Sequence, residues 1–461
     1  MNKRILGLAL PNIITNITVP LLGMVDTAIM GHLSKEGLGA IAIGASIFNL
    51  IYWNFGFLRM GTSGLTAQAY GARRWDDAVK TLIRASAIAL TIALALIVLQ
   101  WPIGLLVPII FDGSDRVISM ALTYFHVRIW AAPATLGLYA VKGWFIGMQD
   151  SKTPMWIAIA LNIVNILASL LFVLLFHWGI AGVALGTVVA QYCGLFLGLW
   201  FLRKRLSSLT AHKSKNPFPS PHSPLSTLKE ALRWEDMRRF FKVNGDIFLR
   251  TVCLSAVFTF ITAAGSHISD EVLAVNNLLM QFFTLFSYIM DSFAYAAESL
   301  VGRYIGAREP RNLRSAVRLL ILWSLALTVV FTAAYALGGQ WFLAVFTDQK
   351  SVIDAAGDYL VWVLLVPVCG FAAFLFDGVF IGATASRTMR NAMFVATAAF
   401  FALYFGLNAT LSADSPQFAD QTSNNILWTA FIAFLLLRGA LQWLRLKKDV
   451  YAKAVPLTVT P

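Results

Sequence analysis

The sequence has few charged residues and few cysteines. Asp, Glu, Lys and Arg make up 13% of the 461 residues, about half of the roughly 25% that is typical of soluble proteins. The three cysteines, Cys193, Cys253 and Cys369, all lie in apolar stretches. This distribution offers neither a disulfide framework nor the paired spacing of a cysteine metal site. The composition therefore excludes an ordinary soluble domain and a small domain held together by disulfides.

Motifs for catalysis and nucleotide binding are also missing. The six histidines are scattered along the chain, and there is no GxxxxGK[ST] phosphate-binding loop. An enzyme embedded in a membrane would need a cluster of His, Asp or Glu side chains in one place, and the sequence contains none. We therefore expect no enzymatic activity, no bound cofactor and no use of ATP as the driving force.

Apolar residues are abundant instead. They account for 58% of the chain, and the mean hydropathy is +0.71. A helix needs about 20 predominantly apolar residues to cross the hydrocarbon core of a bilayer. Runs of this kind predict twelve membrane-spanning helices, at residues 6–31, 38–58, 82–110, 119–141, 154–176, 180–202, 240–265, 272–296, 319–346, 359–381, 391–411 and 425–444. We expect an all-α polytopic membrane protein.

Positive charge alternates between the connections that join these helices. The amino end, the central segment and the carboxyl tail are basic, whereas residues 177–179, 266–271 and 412–424 contain no Lys or Arg. Because basic loops stay on the cytoplasmic side, we expect both termini in the cytoplasm of a cell-membrane protein. The net charge of +13 then reflects membrane orientation. We expect a monomer with no nucleic-acid partner.

A polar segment near the middle of the chain separates two halves. Residues 203–234 are rich in Ser, Pro and Lys, a composition typical of a linker. We predict an amino-terminal lobe with helices one to six (1–202), a cytoplasmic linker (203–238), and a carboxyl-terminal lobe with helices seven to twelve and a basic tail (239–461).

The two halves are copies of each other at an offset of 235 residues. FIGMQDSKT (145–153) corresponds to FIGATASRT (380–388), and the GAR at 71–73 corresponds to the GAR at 306–308. A single ungapped register indicates internal duplication. With six helices in each copy, the lobes are expected to be parallel and related by a pseudo-two-fold axis along the membrane normal. A cleft between two such lobes is suited to alternating access.

Four motifs give the chain a resemblance to a known family. They are NITVPLLGMVDTAIMGHL (16–33), YGAR (70–73), GMQDSKTP (147–154) and LFDGVFIGAT (375–384). In this order they resemble the multidrug and toxin extrusion (MATE) transporters, and most closely the DinF-like branch. The resemblance implies export of small amphipathic, often cationic compounds, driven by protons or sodium ions that flow inward. It also implies that Asp26 is the proton-linked residue and that the first helix bends as a consequence.

Asp26 lies within an apolar run, where a charge costs about 3 kcal/mol or more inside a bilayer. At 1.5 Å per residue, the predicted spans give it a depth near that of polar residues in helices five and six. These residues are Asn165, Ser169, Thr187 and Gln191, and Asn162 is added to the predicted pocket because it shares a helix face with Asn165. A carboxylate in such a pocket can gain and lose a proton, which provides a coupling device. The simpler alternative is that Asp26 only bonds backbone groups loosened by Pro20.

These two interpretations are compatible, because a helix weakened at Pro20 can bend as Asp26 changes its charge. Ser169, however, departs from the pattern of the DinF-like relatives. They commonly carry a second Asp in a motif such as NxxNxxxD, whereas the matching stretch here, NIVNILAS, ends in Ser169. Serine cannot titrate, so the sequence favours protons over sodium as the coupling ion, and weak sodium binding at Asp26 remains an alternative. A flippase for a lipid or a lipid-linked precursor is the alternative function.

Charged residues in the carboxyl-terminal half have simpler explanations. Asp246 and Arg250 are four residues apart and are expected to pair on one helix. Asp291 and Glu298 fall toward the inner end of helix eight, where we expect the membrane interface to solvate them. Asp377 is expected to act at a helix end or turn. None of these residues is predicted to bind sodium.

Overall fold

The computed structural model describes residues 1–213, 230–347, 349–411 and 419–455, and these residues contain no β-strand. The α-helices are α1 (Asn2–Gly31), α2 (Lys35–Asn54), α3 (Phe57–Gly71), α4 (Trp75–Val98), α5 (Gln100–Ile110), α6 (Asp115–Arg128), α7 (Ala132–Gly147), α8 (Lys152–Leu170), α9 (Gly179–Lys213), α10 (Trp234–Ile268), α11 (Asp270–Gly306), α12 (Pro310–Phe346), α13 (Lys350–Gly357), α14 (Leu360–Gly382), α15 (Ser386–Leu411) and α16 (Ala419–Asp449). The all-α architecture expected from the sequence is confirmed. Residues 214–229 of the predicted linker lie outside the described residues.

Eleven segments of the described chain are helical, long enough and apolar enough to cross a membrane. The remaining predicted span, 119–141, is divided between α6 and α7 by a short 3-10 turn at Ile129–Ala131. Pro133 occupies one of the first positions of α7, where its missing N–H removes no helical hydrogen bond. With this interrupted segment, each of the twelve predicted spans corresponds to helical structure in the described residues, and eleven of them meet the length and hydropathy of a membrane crossing.

The second predicted span ends too early at residue 58. After a short break that follows Asn54, α3 continues the segment as far as Gly71. Hydroxyl residues lower the hydropathy of α3, and two of these hydroxyl groups, on Thr62 and Ser63, bond to backbone carbonyls of the helix itself. Thr62 Oγ1, for example, donates to the Leu58 carbonyl at 2.6 Å. Such residues are compatible with a buried helix because their hydroxyl groups need no water.

The chain divides into two compact units. The N-unit contains residues 10–70 and 74–242, and the C-unit contains residues 1–9, 71–73 and 243–461. The boundaries that the sequence suggests for the two lobes and the linker stay a prediction.

The offset of 235 residues is repeated in the backbone of the two units. Corresponding helices begin at Lys35 and Asp270, at Trp75 and Pro310, and at Asp115 and Lys350. Corresponding helices end at Gly71 and Gly306, and at Gly147 and Gly382. Left-handed residues occur in the same register, with φ of 57° at Arg73 and 55° at Arg308, and 64° at Gln149 and 47° at Thr384. The duplication inferred from the sequence therefore extends to helix boundaries and turns.

Glycines in α7 and α14 bring helices close together at equivalent places in the two units. Each glycine lies against the backbone of a facing helix, α3 in the N-unit and α11 in the C-unit. The four contacts are Gly143 with Arg59, Gly147 with Ser63, Gly378 with Ala294, and Gly382 with Glu298. A methyl group at any of these glycines would overlap backbone atoms of the facing helix. The spacing is the GxxxG pattern of close helix pairs in membranes.

Replacing Gly378 with alanine should destabilise the protein by about 1–3 kcal/mol, because the new methyl group overlaps the Ala294 backbone. Gly406→Ala in α15 is the matched control, since no neighbouring atom lies within 4 Å of the added group and alanine favours a helix by about 1 kcal/mol. Unfolding in detergent should separate the two variants. Equal losses of stability would contradict the close packing of α14 on α11.

Candidate functional site

Four helices of the N-unit meet at Asp26. The Asp26 side chain, in α1, is 1% exposed. Thr187 of α9 donates from Oγ1 to Asp26 Oδ2 at 3.1 Å, and the Tyr124 hydroxyl of α6 donates to the same oxygen at 3.4 Å. Asn165 of α8 donates from Nδ2 to Thr187 Oγ1 at 3.1 Å. The structure thus brings Asp26, Asn165 and Thr187 into one hydrogen-bonded group.

Gly186, the residue before Thr187, allows α8 and α9 to approach each other at this group. A methyl group at Gly186 would overlap the side chain and the backbone of Ser169 in α8. Without that methyl group, α9 lies directly on α8. Thr187 can therefore contact Asn165 and Asp26 at the same time.

Three buried oxygen atoms of this region have no hydrogen-bond partner among the described residues. They are Asp26 Oδ1, Asn165 Oδ1 and Ser169 Oγ. An unpaired buried polar atom costs about 1–3 kcal/mol, so native structures retain few of them without a reason. An ionised carboxylate only accepts hydrogen bonds, whereas a protonated one can also donate. Gain and loss of a proton at Asp26 would therefore change which partners this group can satisfy.

Three predicted pocket residues, Asn162, Ser169 and Gln191, do not belong to this hydrogen-bonded group, and the Ser169 hydroxyl has no partner among the described residues. Asn162 donates from Nδ2 to the Thr18 carbonyl of α1 at 3.0 Å. Gln191 is half-buried on α9 and makes no hydrogen bond to the Asp26 group in the described part of the chain. The predicted spans give Gln191 a depth similar to that of Asn165. Depth alone does not determine the direction in which a side chain points.

The contact from Asn162 lies close to Pro20, which is inside α1 and has no N–H to donate. Hydroxyl groups bond to backbone carbonyls just before the proline. Thr15 donates to the Pro11 carbonyl at 3.0 Å, and Thr18 donates to the Thr15 carbonyl at 2.8 Å. Bonds of this kind often bend helices. The segment of α1 before Pro20 therefore combines several features that weaken a helix.

Sequence reasoning missed Tyr124 and Arg128, both in α6. Arg128 donates from Nη1 to the Tyr124 hydroxyl, and its guanidinium carbon lies 4.8 Å from the centre of the Phe48 ring. Hydrogen bonds therefore run from Arg128 through Tyr124 to Asp26. The sequence did contain a signal for Arg128, because an arginine within a predicted membrane span usually faces the interior of the bundle and has a polar partner there. The four-residue spacing of Tyr124 and Arg128 also placed them on one helix face.

The predicted pair of Asp246 and Arg250 in α10 is wrong. Asp246 instead forms an ion pair with Arg390 of α15 at 2.7 Å and accepts a hydrogen bond from Ser386 at 2.8 Å. Arg250 forms an ion pair with Asp377 of α14. A four-residue spacing favours pairing on an isolated helix, but in this bundle the neighbouring helices supply the partners.

The helix-end role predicted for Asp377 is also wrong, because this residue belongs to a buried ion network. Asp377 is 7% exposed, and it accepts hydrogen bonds from Arg438 and Gln442 of α16 at 2.8 Å each in addition to the Arg250 ion pair. Glu298, expected at the membrane interface, is 1% exposed. Surrounding helices enclose both carboxylates, and the paired arginines offset the cost of burying Asp377.

Comparison with family models gives two matches. The model described as MatE matches residues 11–171 and again residues 247–409, which lie in the two repeats. The model described as lipid II flippase MurJ matches residues 132–223.

Related proteins cover nearly the whole chain. DNA damage-inducible protein F of Escherichia coli (strain K12) is 36% identical over 441 residues, which is 95% of this chain and 90% of that protein. Protein DETOXIFICATION 44, chloroplastic, of Arabidopsis thaliana is 24% identical over 83% of this chain and 72% of its own length. The crystal structure of a MATE protein in the bent conformation has a TM-score of 0.82 at 17% identity, over 98% of this chain and 97% of that one. At this identity the structural match shows the fold alone.

Replacing Thr187 with valine should lower stability by about 1–3 kcal/mol, because Asp26 Oδ2 and Asn165 Nδ2 both lose a buried partner. Thr123→Val in α6 is the control, since that hydroxyl is exposed and bonds only to the Ser119 carbonyl of its own helix. The control should change stability by about 0.5 kcal/mol or less. Thermal unfolding in detergent measures both effects, and a Thr187 variant as stable as the control would contradict the hydrogen-bonded group.

Proposed function

Since the chain belongs to the multidrug and toxin extrusion (MATE) family of efflux transporters, we propose that it exports amphipathic, often cationic organic compounds in exchange for protons. Proteins of this family are membrane transporters and not enzymes. In the proposed cycle, Asp26 is protonated in one conformation and ionised in the other. Alternating access to the two sides of the membrane couples proton entry to substrate exit.

The observation that carries the proposal is the setting of Asp26. It is buried, it accepts two hydrogen bonds, and no cationic side chain lies within 4 Å of it among the described residues. The titratable and charged groups that face it are Tyr124 and Arg128, both from α6. The residues that face it from α8 and α9, Asn165 and Thr187, do not titrate. A proton that enters this group therefore has Asp26 as its acceptor.

Protons are favoured over sodium as the coupling ion because the pocket has a single carboxylate. Ser169 is buried near the group but cannot carry a charge. Sodium would share Asp26 with the neutral oxygens of Asn165, Ser169 and Thr187, a ligand set of low total charge. Sodium coupling is the alternative within the same transport function.

Bending of α1 is the proposed link between the proton and the substrate path. Pro20 precedes Asp26 by six residues in α1, and hydroxyl groups bond to the backbone before the proline. A helix weakened there can adopt two arrangements of similar energy. Protonation of Asp26 would favour one of them, by no more than the difference in proton affinity between the two arrangements.

The match of residues 132–223 to the lipid II flippase MurJ family model supports a second candidate function, movement of a lipid or lipid-linked precursor. The MatE match covers both repeats, and this favours drug efflux. Proteoliposomes with a fluorescent organic cation and, separately, a fluorescent lipid-linked phosphate would distinguish the two functions.

We further propose a monomer in the cell membrane with both termini in the cytoplasm.

Asp26→Asn should reduce proton-driven efflux by more than about tenfold, because asparagine keeps the size of the side chain but cannot titrate. The measurement is efflux of a fluorescent cation from proteoliposomes under an imposed pH gradient, at matched protein content. Asp112→Asn, an exposed carboxylate in the connection between α5 and α6, should leave the rate unchanged. Wild-type rates in the Asp26 variant would exclude Asp26 as the coupling residue.

Pro20→Ala should slow efflux while Asp26 still binds protons, because alanine restores the missing helical donor and favours one arrangement of α1. Spin labels at the exposed positions Leu33, two residues beyond the end of α1, and Leu167 of α8, in a chain without its native cysteines, would measure the movement of the carboxyl end of α1 relative to α8. In the wild type the distance between the labels should change between about pH 5 and pH 8, the range in which a buried carboxyl group can titrate. An unchanged distance, or an equal change in Asp26→Asn, would contradict the bending mechanism.

A further inference from the structure

We propose that Arg128 keeps sodium ions out of the Asp26 pocket and thereby makes the pocket selective for protons. The inference rests on the proposed proton-coupled export and adds a residue that determines the identity of the ion. It starts from the hydrogen bonds that join Arg128 to Asp26 through Tyr124.

The pocket has oxygen atoms that suit a sodium ion. Asp26 Oδ1, Asn165 Oδ1 and Ser169 Oγ are buried and have no hydrogen-bond partner in the described residues. Carboxylate, amide and hydroxyl oxygens are the ligands that hard cations prefer. The single carboxylate makes this ligand set a weak one for sodium, but the oxygen atoms alone do not exclude the ion.

The charge of Arg128 explains the proposed exclusion of sodium. A guanidinium stays protonated under all physiological conditions, and no Asp or Glu lies within 4 Å of Arg128 in the part of the chain that the structure describes. Its position is fixed by the Tyr124 hydroxyl and by the Phe48 ring, 4.8 Å away. With Asp26 ionised, the two residues together carry no net charge.

A sodium ion that enters this pocket makes the local charge positive, and like charges in a poorly solvated site repel each other strongly. A proton also adds one positive charge, but it forms a covalent bond to Asp26 and needs no shell of oxygen ligands. It can also be donated as a hydrogen bond to a neighbouring oxygen. The same arginine therefore excludes sodium while it permits protonation.

The test compares Arg128→Gln, which removes the charge and keeps a hydrogen-bond donor, with Arg128→Lys, which keeps the charge. Thermal unfolding of each purified full-length protein is measured in matched sodium chloride and potassium chloride, since a bound ion stabilises the folded state. Arg128→Gln should gain a sodium-specific rise of several degrees, and this rise should disappear in the double variant Arg128→Gln with Asp26→Asn. The wild type and Arg128→Lys should show no difference between the two salts.

Ser169→Asp provides a second measurement if Arg128→Gln fails to fold. The added carboxylate makes the pocket negative while Arg128 is present, so sodium should again stabilise the variant. A folded Arg128→Gln or Ser169→Asp protein without a sodium response would overturn the role of Arg128, as would a sodium response in the wild type. If Arg128 only held Tyr124 in place, Tyr124→Phe would gain the same sodium response as Arg128→Gln, which would also overturn the proposal.

Failure of this inference can be distinguished from failure of the proposed function. Loss of proton-driven efflux in Asp26→Asn tests proton coupling and does not depend on the response of Arg128 variants to sodium. If that efflux is lost and Arg128→Gln remains insensitive to sodium, proton coupling stands and the role of Arg128 is rejected. If efflux in the wild type requires a sodium gradient, both are rejected.

Discussion

An ionised carboxylate inside an apolar helical bundle loses the water that would otherwise solvate it. In the N-unit, hydrogen-bond donors on neighbouring helices take the place of that water around Asp26. Hydroxyl groups come from α6 and α9, and an amide on α8 holds one of these hydroxyls in place. Gly186 brings α8 and α9 close enough for this arrangement. The requirement to satisfy one carboxylate therefore determines how four helices pack, and the same requirement makes their packing sensitive to a proton.

The two repeats share a backbone register but not this polar group. At the offset of 235, Asp26, Asn165 and Ser169 correspond to Ile261, Phe400 and Tyr404. In the C-unit that region is aromatic: the Phe260 ring lies 5.8 Å from Phe400 and 5.0 Å from Tyr404. The C-unit instead places its buried charges around Asp377, where arginines are paired with the carboxylate. Duplication supplied two similar scaffolds, and among the described residues Asp26 and Asn165 have no polar counterpart at the equivalent positions of the second, Ile261 and Phe400.

Much of the fold could be predicted from the sequence because its signals are local. Apolar runs predicted the membrane crossings, and a fixed offset predicted the repeat that helix ends such as Gly147 and Gly382 reproduce. The group of Asp26, Asn165 and Thr187 was partly predictable from depth, since helices that cross one membrane share a depth scale. Contacts between side chains were harder to predict. Arg128 near Asp26 and Arg250 with Asp377 depend on how each helix is rotated about its axis, and neither hydropathy nor spacing along the chain specifies that rotation.

The glycine contacts of α7 and α14 have a mechanical consequence. At Gly143 and Gly378 no side chain separates the backbones of the paired helices, so one helix cannot slide along the other without a collision between main chains. Each of these two helix pairs should consequently move as a rigid body during transport. Conformational change is then concentrated in segments that lack such contacts. Gly23, three residues after Pro20 in α1, lies in a segment of this kind, because no atom is within 4 Å of the position that its Cβ would occupy. Small residues in this protein thus serve two opposite purposes: they lock two helix pairs together and leave room around the helix that carries Asp26.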